Sequence, residues 1–116
     1  MNIIDNDNYA SKEIRVCSAI DKFIQITGHD LNDSQISELK NELRDIFFEY
    51  LNQENVQICD IDSLDNIAKV AFYRLVKVSK CYFYEKNTNS SYEYIESLRI
   101  KANNCKKDYE SIMFSS

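Results

Sequence analysis

Apolar residues recur every three or four positions along four segments of the chain, which predicts four amphipathic helices. The first predicted helix runs from about Tyr9 to Thr27 and turns one apolar stripe toward the core. Gly28, the single glycine of the chain, suits the position directly after a helix C-terminus. The predicted stripe of this first helix consists of Ala10, Ile14, Cys17, Ile20 and Ile24.

The second predicted helix has the clearest start signal. Asn32 can cap the helix, and Gln35 lies three residues further on, which is a variant of the capping box. An apolar stripe then repeats at spacings of three and four residues, so this helix is expected to bury one face. The stripe consists of Ile36, Leu39, Leu43, Ile46, Phe47 and Tyr50.

The third predicted helix begins near Asp62 or Ser63 and is the most apolar of the four. Beyond its core stripe, Val70, Phe72 and Val76 widen the apolar surface, which predicts a central, buried helix. The core stripe consists of Leu64, Ala68, Ala71, Leu75, Val78 and Tyr82.

The fourth helix is predicted to start with a second capping box, formed by Ser90 and Glu93. Its apolar positions again follow in threes and fours, as in the helices of a bundle. They are Ile95, Leu98, Ala102, Cys105, Tyr109 and Ile112.

Four such helices joined by short polar loops predict an all-α fold, an antiparallel four-helix bundle. The composition agrees, since one glycine and no proline do not suit a sheet with tight turns. We expect a flexible N-terminus over residues 1–8 and one domain over residues 9–116. No apolar run approaches the roughly 18 residues of a membrane span, and the N-terminus does not match a secretory signal. A cytoplasmic location without membrane contact is therefore expected.

No catalytic or cofactor-binding motif is present in the sequence. The single histidine, His29, lies in a predicted loop and is expected to be solvated. Cys17, Cys59, Cys81 and Cys105 are widely spaced and are expected to be reduced and packed rather than to bind metal. One glycine excludes a phosphate-binding glycine-rich loop. These features predict a protein that is not an enzyme and has no metal site or cofactor.

Charge is distributed unevenly along the chain, whose formal net charge is −5. Residues 1–65 hold 14 acids and 5 bases, whereas residues 66–116 hold 5 acids and 9 bases. The first part therefore carries −9 and the second +4. Such an uneven charge distribution influences which partners the protein binds, but it does not determine the fold.

The second helix carries four acids that fall within about 60° of one another at 100° per residue. We name Glu38, Glu42, Asp45 and Glu49 the acidic stripe. Like charges four residues apart destabilise a helix slightly, so a positive charge beside the acidic stripe would stabilise this helix. Phe48 lies on the same helix, nearly opposite the core stripe.

Two interpretations of the acidic stripe remain open. In the first, the acids pair with bases of the third helix, namely Lys69, Lys77 and Lys80, and Phe48 covers a loop. In the second, the stripe binds a basic partner and Phe48 anchors the contact, as aromatic residues do at interface hot spots. The predicted partner-binding residues are Glu38, Glu42, Asp45, Phe48, Glu49, Asp60, Asp62 and Asp65.

In its overall character, small, acidic and free of catalytic motifs, the whole chain resembles the immunity proteins of bacterial toxin systems, including those of contact-dependent growth inhibition. The resemblance implies a cytoplasmic inhibitor, or antitoxin, that neutralises a cationic toxin. The expected partner is a nuclease, whose phosphate-binding site the acidic surface would occupy.

Two alternatives stay open beside this one. The stretch from Leu31 to Ile36 is similar to the helix opening in small helical subunits of type III CRISPR effector complexes, which implies a nucleic-acid-bound complex. It departs from them at Ser37, where those subunits carry a basic residue. In that case the bases of the second half would contact backbone phosphates. A phage assembly or anti-defence protein fits the same composition.

Overall fold

The computed structural model describes residues 3–54, 60–88 and 90–115, with side chains from residue 11 onward. This part of the chain forms four helices and no strand, so the predicted all-α four-helix fold is confirmed. The helices are α1 (Ile3–Thr27), α2 (Asp33–Glu54), α3 (Leu64–Lys86) and α4 (Tyr92–Phe114). Cys59 lies outside the described residues, and so does the short extended stretch that the alternation of Val56 and Ile58 with polar residues predicts.

Helix α1 begins six residues before its predicted start at Tyr9. At the other end, Gly28 adopts a φ of 64°, and its N–H donates to the carbonyl of Ile24 at 3.0 Å. Gly28 therefore ends α1 as predicted. The flexible N-terminus and the single domain over residues 9–116 stay predictions.

Hydrogen bonds at the helix starts confirm one predicted capping box and correct the other. The N–H of Gln35 donates to the side chain of Asn32 at 2.9 Å, and the N–H of Asn32 donates to the side chain of Gln35 at 3.0 Å. The predicted box of Ser90 and Glu93 is wrong, because Ser91 caps α4 and accepts from the N–H of Tyr94. Because Ser90 and Ser91 are consecutive, the sequence does not decide which of them caps the helix. The hydroxyl of Ser90 instead donates a hydrogen bond to the carboxylate of Glu85.

Neighbouring helices pack in antiparallel pairs, and α3 and α4 share the largest contact. Along α3 and α4, Phe72 lies beside Tyr109, whereas Cys81, nine residues later, lies near Tyr94. The core draws on all four helices, and its largest fully buried side chains are Phe23, Phe47, Leu43, Ile61, Ile67 and Ile112.

The apolar stripe predicted for α1 is partly wrong. Ile14 is 69% exposed and Cys17 is exposed, whereas Val16, Ala19 and Phe23 are fully buried. Both sets of residues repeat in threes and fours, so the period alone cannot decide which of two adjacent stripes faces the core. The stripes predicted for α2 and α4 hold better, and Leu43, Phe47, Leu98, Cys105 and Ile112 are all buried.

The molecule is elongated, with extents of 52 × 31 × 26 Å. A helix of 23 residues is about 35 Å long, so the long axis exceeds any one of α2, α3 and α4. The last buried residue of α3 is Val78, and the first of α4 is Leu98. About a third of the α3–α4 hairpin, at its distal end, therefore extends beyond the shared core.

Candidate functional site: the acidic stripe and the groove on α3

The acidic stripe divides into two paired and two unpaired acids. Glu42 and Glu49 are half-buried and bind bases of α3 and α4, whereas Glu38 and Asp45 are exposed and make no ion pair among the described side chains. Internal pairing therefore applies to Glu42 and Glu49, whereas binding of a basic partner stays open for Glu38 and Asp45.

Glu42 belongs to a buried ion network that joins α2, α3 and α4. The guanidinium of Arg74 binds the Glu42 carboxylate through Nε at 2.9 Å and the Asp108 carboxylate through Nη1 at 3.0 Å. Arg74 and Asp108 are only 4% and 5% exposed. The Lys101 ammonium lies 3.5 Å from Glu42 as well. Glu42 thus helps to neutralise a buried cation, which is a structural role.

The network reaches His29, which corrects the prediction of a solvated loop histidine. His29 is half-buried, and its Nε2 lies 3.1 Å from Oδ1 of Asp108. This contact has ion-pair distance but lacks hydrogen-bond geometry. Cys105 lies in the same region and is reduced and packed as predicted, and burial raises the pKa of its thiol. The prediction of packing is wrong for Cys17 and Cys81, which are exposed.

The Glu42 carboxylate stays ionised in this setting. Partial burial would raise its pKa, but the hydrogen bond and charge of Arg74, together with Lys101, outweigh burial and lower the pKa below 4.5. A lowered folded-state pKa contributes stability above the unfolded pKa, and this contribution is lost as the pH falls.

Glu42→Gln is expected to lower the free energy of unfolding at pH 7 by about 1–3 kcal/mol, because a charged hydrogen-bond partner of Arg74 is lost. The difference from the wild type should shrink as the pH falls from 4.5 through the lowered folded-state pKa, since Glu42 is then protonated first in the unfolded and finally in the folded state. Urea denaturation at pH 7 and at pH 3 measures this. Glu38→Gln, on the same helix, is the control and should change stability by less than about 0.5 kcal/mol. A loss of stability in Glu42→Gln that is the same at pH 7 and at pH 3 would contradict the ionised state of Glu42 in the folded protein.

Glu49 pairs with α3 at the surface. The Lys77 ammonium donates to its carboxylate at 2.6 Å, and this hydrogen bond is the main cause of the lowered pKa of Glu49. The predicted pairing between the acidic stripe and α3 is thus observed for Lys77. It is not observed for Lys80, and Lys69 pairs within its own helix, with Asp65 at 3.2 Å.

Asp62 connects the start of α3 to α1. Its carboxylate lies 3.6 Å from both Arg15 and Lys22 and accepts a hydrogen bond from Ser18 at 3.1 Å. Burial tends to raise its pKa, but Ser18 and the two bases together lower it. Asp60, in contrast, is exposed and contributes its backbone carbonyl to the turn before α3.

Phe48 is half-buried rather than exposed. It packs against the core, and the guanidinium of Arg44 lies over its ring, 5.3 Å from the centroid. Arg44 also pairs with Glu13 of α1. Phe48 is therefore already covered, although the predicted binding role of this residue and of the acids stays a prediction.

Internal pairing leaves an acidic surplus on the surface of the first half. Among the described side chains up to residue 65, Lys12 and Lys40 are the only bases without an ion pair. The exposed acids without one in the same part are Asp21, Asp30, Asp33, Glu38, Asp45, Glu54 and Asp60.

A groove of about 530 Å³, which we name the α3 groove, follows the outer face of α3. Ala68, Phe72 and Val76 lie along its floor, four residues apart, and Phe72 is 50% exposed. Tyr50 of α2 contributes one wall and Tyr109 of α4 the other, and the Phe72 and Tyr109 rings lie 5.4 Å apart. The groove is thus aromatic and is built from three helices.

The sequence did not predict this groove. The only feature of the sequence that relates to the groove is the width of the apolar surface on α3, where Phe72 and Val76 lie beyond the core stripe. That width by itself predicts burial, and the structure corrects the prediction for Phe72. The charges around the groove are of both signs: Glu54 and Asp65 at one end, Lys69 beside them, and Lys80 at the other end.

No group of three or more His, Cys, Asp and Glu side chains in residues 11–54, 60–88 and 90–115 is arranged to hold a metal ion. No helix in the described parts of the chain is long and apolar enough to cross a membrane. Comparisons of the chain with protein-family models, with curated proteins and with solved structures find no match.

Proposed function

We propose that the protein binds and inhibits a basic protein, as an immunity protein or antitoxin binds its toxin, rather than catalysing a reaction. The observation that carries the proposal is the acidic surplus on the first half of the chain. Internal ion pairs neutralise Glu42, Glu49 and Asp62, but the exposed acids defined above keep their charge. A surface of this kind attracts a cationic partner and accelerates association.

A nuclease toxin fits this surface, because a nuclease binds phosphates with positive side chains. Glu38 and Asp45 lie two helical turns apart on α2, about 10 Å along the axis. Two carboxylates at such a spacing present negative charge where a nucleic-acid backbone would otherwise bind. In this mechanism the inhibitor blocks the active site by occupying it.

The double variant Glu38→Lys and Asp45→Lys is expected to weaken binding of the basic partner about tenfold or more, because it places like charges across the interface. The partner is first captured from the native host at low salt and identified by mass spectrometry after nuclease treatment. Its dissociation constant is then measured by titration calorimetry with wild type and variant.

Glu110→Lys is the matched control, since Glu110 is an exposed acid of α4, outside the acidic half. It should bind as the wild type does. Unchanged affinity in the double variant, with the fold verified by circular dichroism, would remove the acidic surface from the interface. Glu42 is unsuitable for charge reversal because it holds Arg74.

A specific observation also favours the second candidate, a subunit of a nucleic-acid-bound complex. Phe83, Tyr84 and Tyr92 are 59%, 67% and 78% exposed on the distal α3–α4 hairpin. Lys86 lies over the Tyr82 ring, 5.8 Å from its centroid. Exposed aromatic rings next to bases provide stacking positions for single-stranded nucleic acid. Co-purified RNA whose retention falls steeply with salt would support this candidate.

A further inference from the structure

We propose that the α3 groove is a docking site for one amphipathic helix of a partner protein. The proposal rests on the shape and charge of the groove, which shares Glu54 with the acidic surplus. Glu38 and Asp45 are not among the residues that line it. The partner helix would lie against α3 as an additional helix lies against a bundle.

The floor of the groove has the periodicity that a helix requires. Ala68, Phe72 and Val76 form one line along α3, and such i, i+4 rows pack against the corresponding rows of another helix. The lining residues of α3 run from Asp65 to Lys80, which is about 22 Å of helix axis or four turns. A partner helix of about 15 residues would therefore cover the groove along its length.

Aromatic side chains give the groove its apolar character. The rings of Tyr50 and Tyr73 lie 5.7 Å apart, edge to face, on the α2 side. Phe72 stays half exposed between them and Tyr109. The groove is open to solvent on one side, so a small ligand would remain largely uncovered, whereas the apolar edge of a helix would shield these rings.

The charges at the two ends determine which helix fits. Glu54 and Asp65 lie at one end and Lys80 at the other. Lys69 is already paired with Asp65, which leaves Glu54 as the unpaired acid and Lys80 as the unpaired base. The complementary helix carries leucine-type residues at i, i+4 and i+7, a base at the end beside Glu54, and an acid at the end beside Lys80.

The test uses fluorescein-labelled synthetic peptides of 18 residues and fluorescence anisotropy. The matched peptide carries the apolar edge, glutamates in its first turn to lie beside Lys80, and lysines in its last turn to lie beside Glu54, an order that the helix dipole also favours. A scrambled peptide keeps its composition but loses the apolar edge, so both carry the same net charge. We expect wild-type protein to bind the matched peptide at least tenfold more tightly than the scrambled one.

Phe72→Asp is expected to weaken binding of the matched peptide at least tenfold, whereas Tyr92→Asp, at an exposed aromatic outside the groove, should leave it unchanged. If circular dichroism shows that Phe72→Asp is unfolded, Lys80→Glu replaces it. Lys80→Glu should weaken binding of the matched peptide and strengthen binding of a peptide whose terminal glutamates are replaced by lysines.

Equal binding of matched and scrambled peptides, or no binding of either, would overturn the proposal. Sedimentation velocity tests whether the groove instead binds a second copy of this chain. A concentration-dependent dimer that Phe72→Asp disperses would assign the groove to self-association and would also overturn it. None of these results tests Glu38 and Asp45, because these two residues do not line the groove and the groove variants leave them unchanged, so failure of this proposal is distinguishable from failure of the proposed function.

Discussion

Arg74→Ala is expected to lower the free energy of unfolding by about 3–5 kcal/mol, because it leaves a buried charge without its partner. Removal of the guanidinium leaves the Asp108 carboxylate buried at 5% exposure without its cation. It also removes the partner of Glu42 on α2. Chemical denaturation monitored by circular dichroism measures the change.

A double variant separates two contributions to the free energy of unfolding: the destabilisation caused by an unpaired buried charge, and the stabilisation that the ion pair itself provides. Arg74→Met with Asp108→Leu replaces the buried pair by apolar side chains of similar size, while Glu42 keeps Lys101 at 3.5 Å. Such replacements are often neutral, so the double variant should be more stable than Arg74→Ala. A double variant as unstable as the single one would show that the pair itself stabilises the fold.

Phe47→Ala is expected to destabilise the protein by about 3–5 kcal/mol, because Phe47 is fully buried and its loss leaves a cavity. The neighbouring Phe48→Ala is the matched control, with an expected loss of about 1–2 kcal/mol. Phe48 is half-buried, and its contact with the Arg44 guanidinium lies near the surface. Urea denaturation of both variants under one set of conditions gives the comparison.

Equal losses in the two variants would mean that Phe48 is as deeply packed as Phe47. Phe48→Ala also carries information about function. A variant that is nearly as stable as the wild type but binds the partner much more weakly would support the predicted anchoring role of Phe48. Unchanged binding would leave Phe48 with its structural contacts alone.

Local features of the fold could be predicted from the sequence. The capping box of Asn32 and Gln35 depends on residues three positions apart, and both of its hydrogen bonds are present. The number of helices and most of their ends follow from the same local periodicity, although α1 begins six residues before its predicted start. The orientation of α1 about its axis does not, because neither Val16 nor Ile14 violates the pattern. Only packing against the other helices decides between them.

The site could be predicted only in part for the same reason. A helical wheel aligns Glu42 and Glu49, and it shows bases on α3, so surface pairing with Lys77 could be anticipated. It does not show that Arg74, within an apolar segment, reaches Glu42 and Asp108 from the interior. The α3 groove combines residues of three helices, and no stretch of sequence contains that arrangement.

The buried ion network also bears on the order of events in folding. Each helix packs on its neighbours in the sequence, and helical proteins with such local connectivity fold within microseconds to milliseconds. The contacts of Arg74 require α2, α3 and α4 to be docked together, so we expect them to form after the rate-limiting barrier. Loss of Arg74 should then accelerate unfolding far more than it slows refolding, which both arms of a stopped-flow chevron plot would reveal.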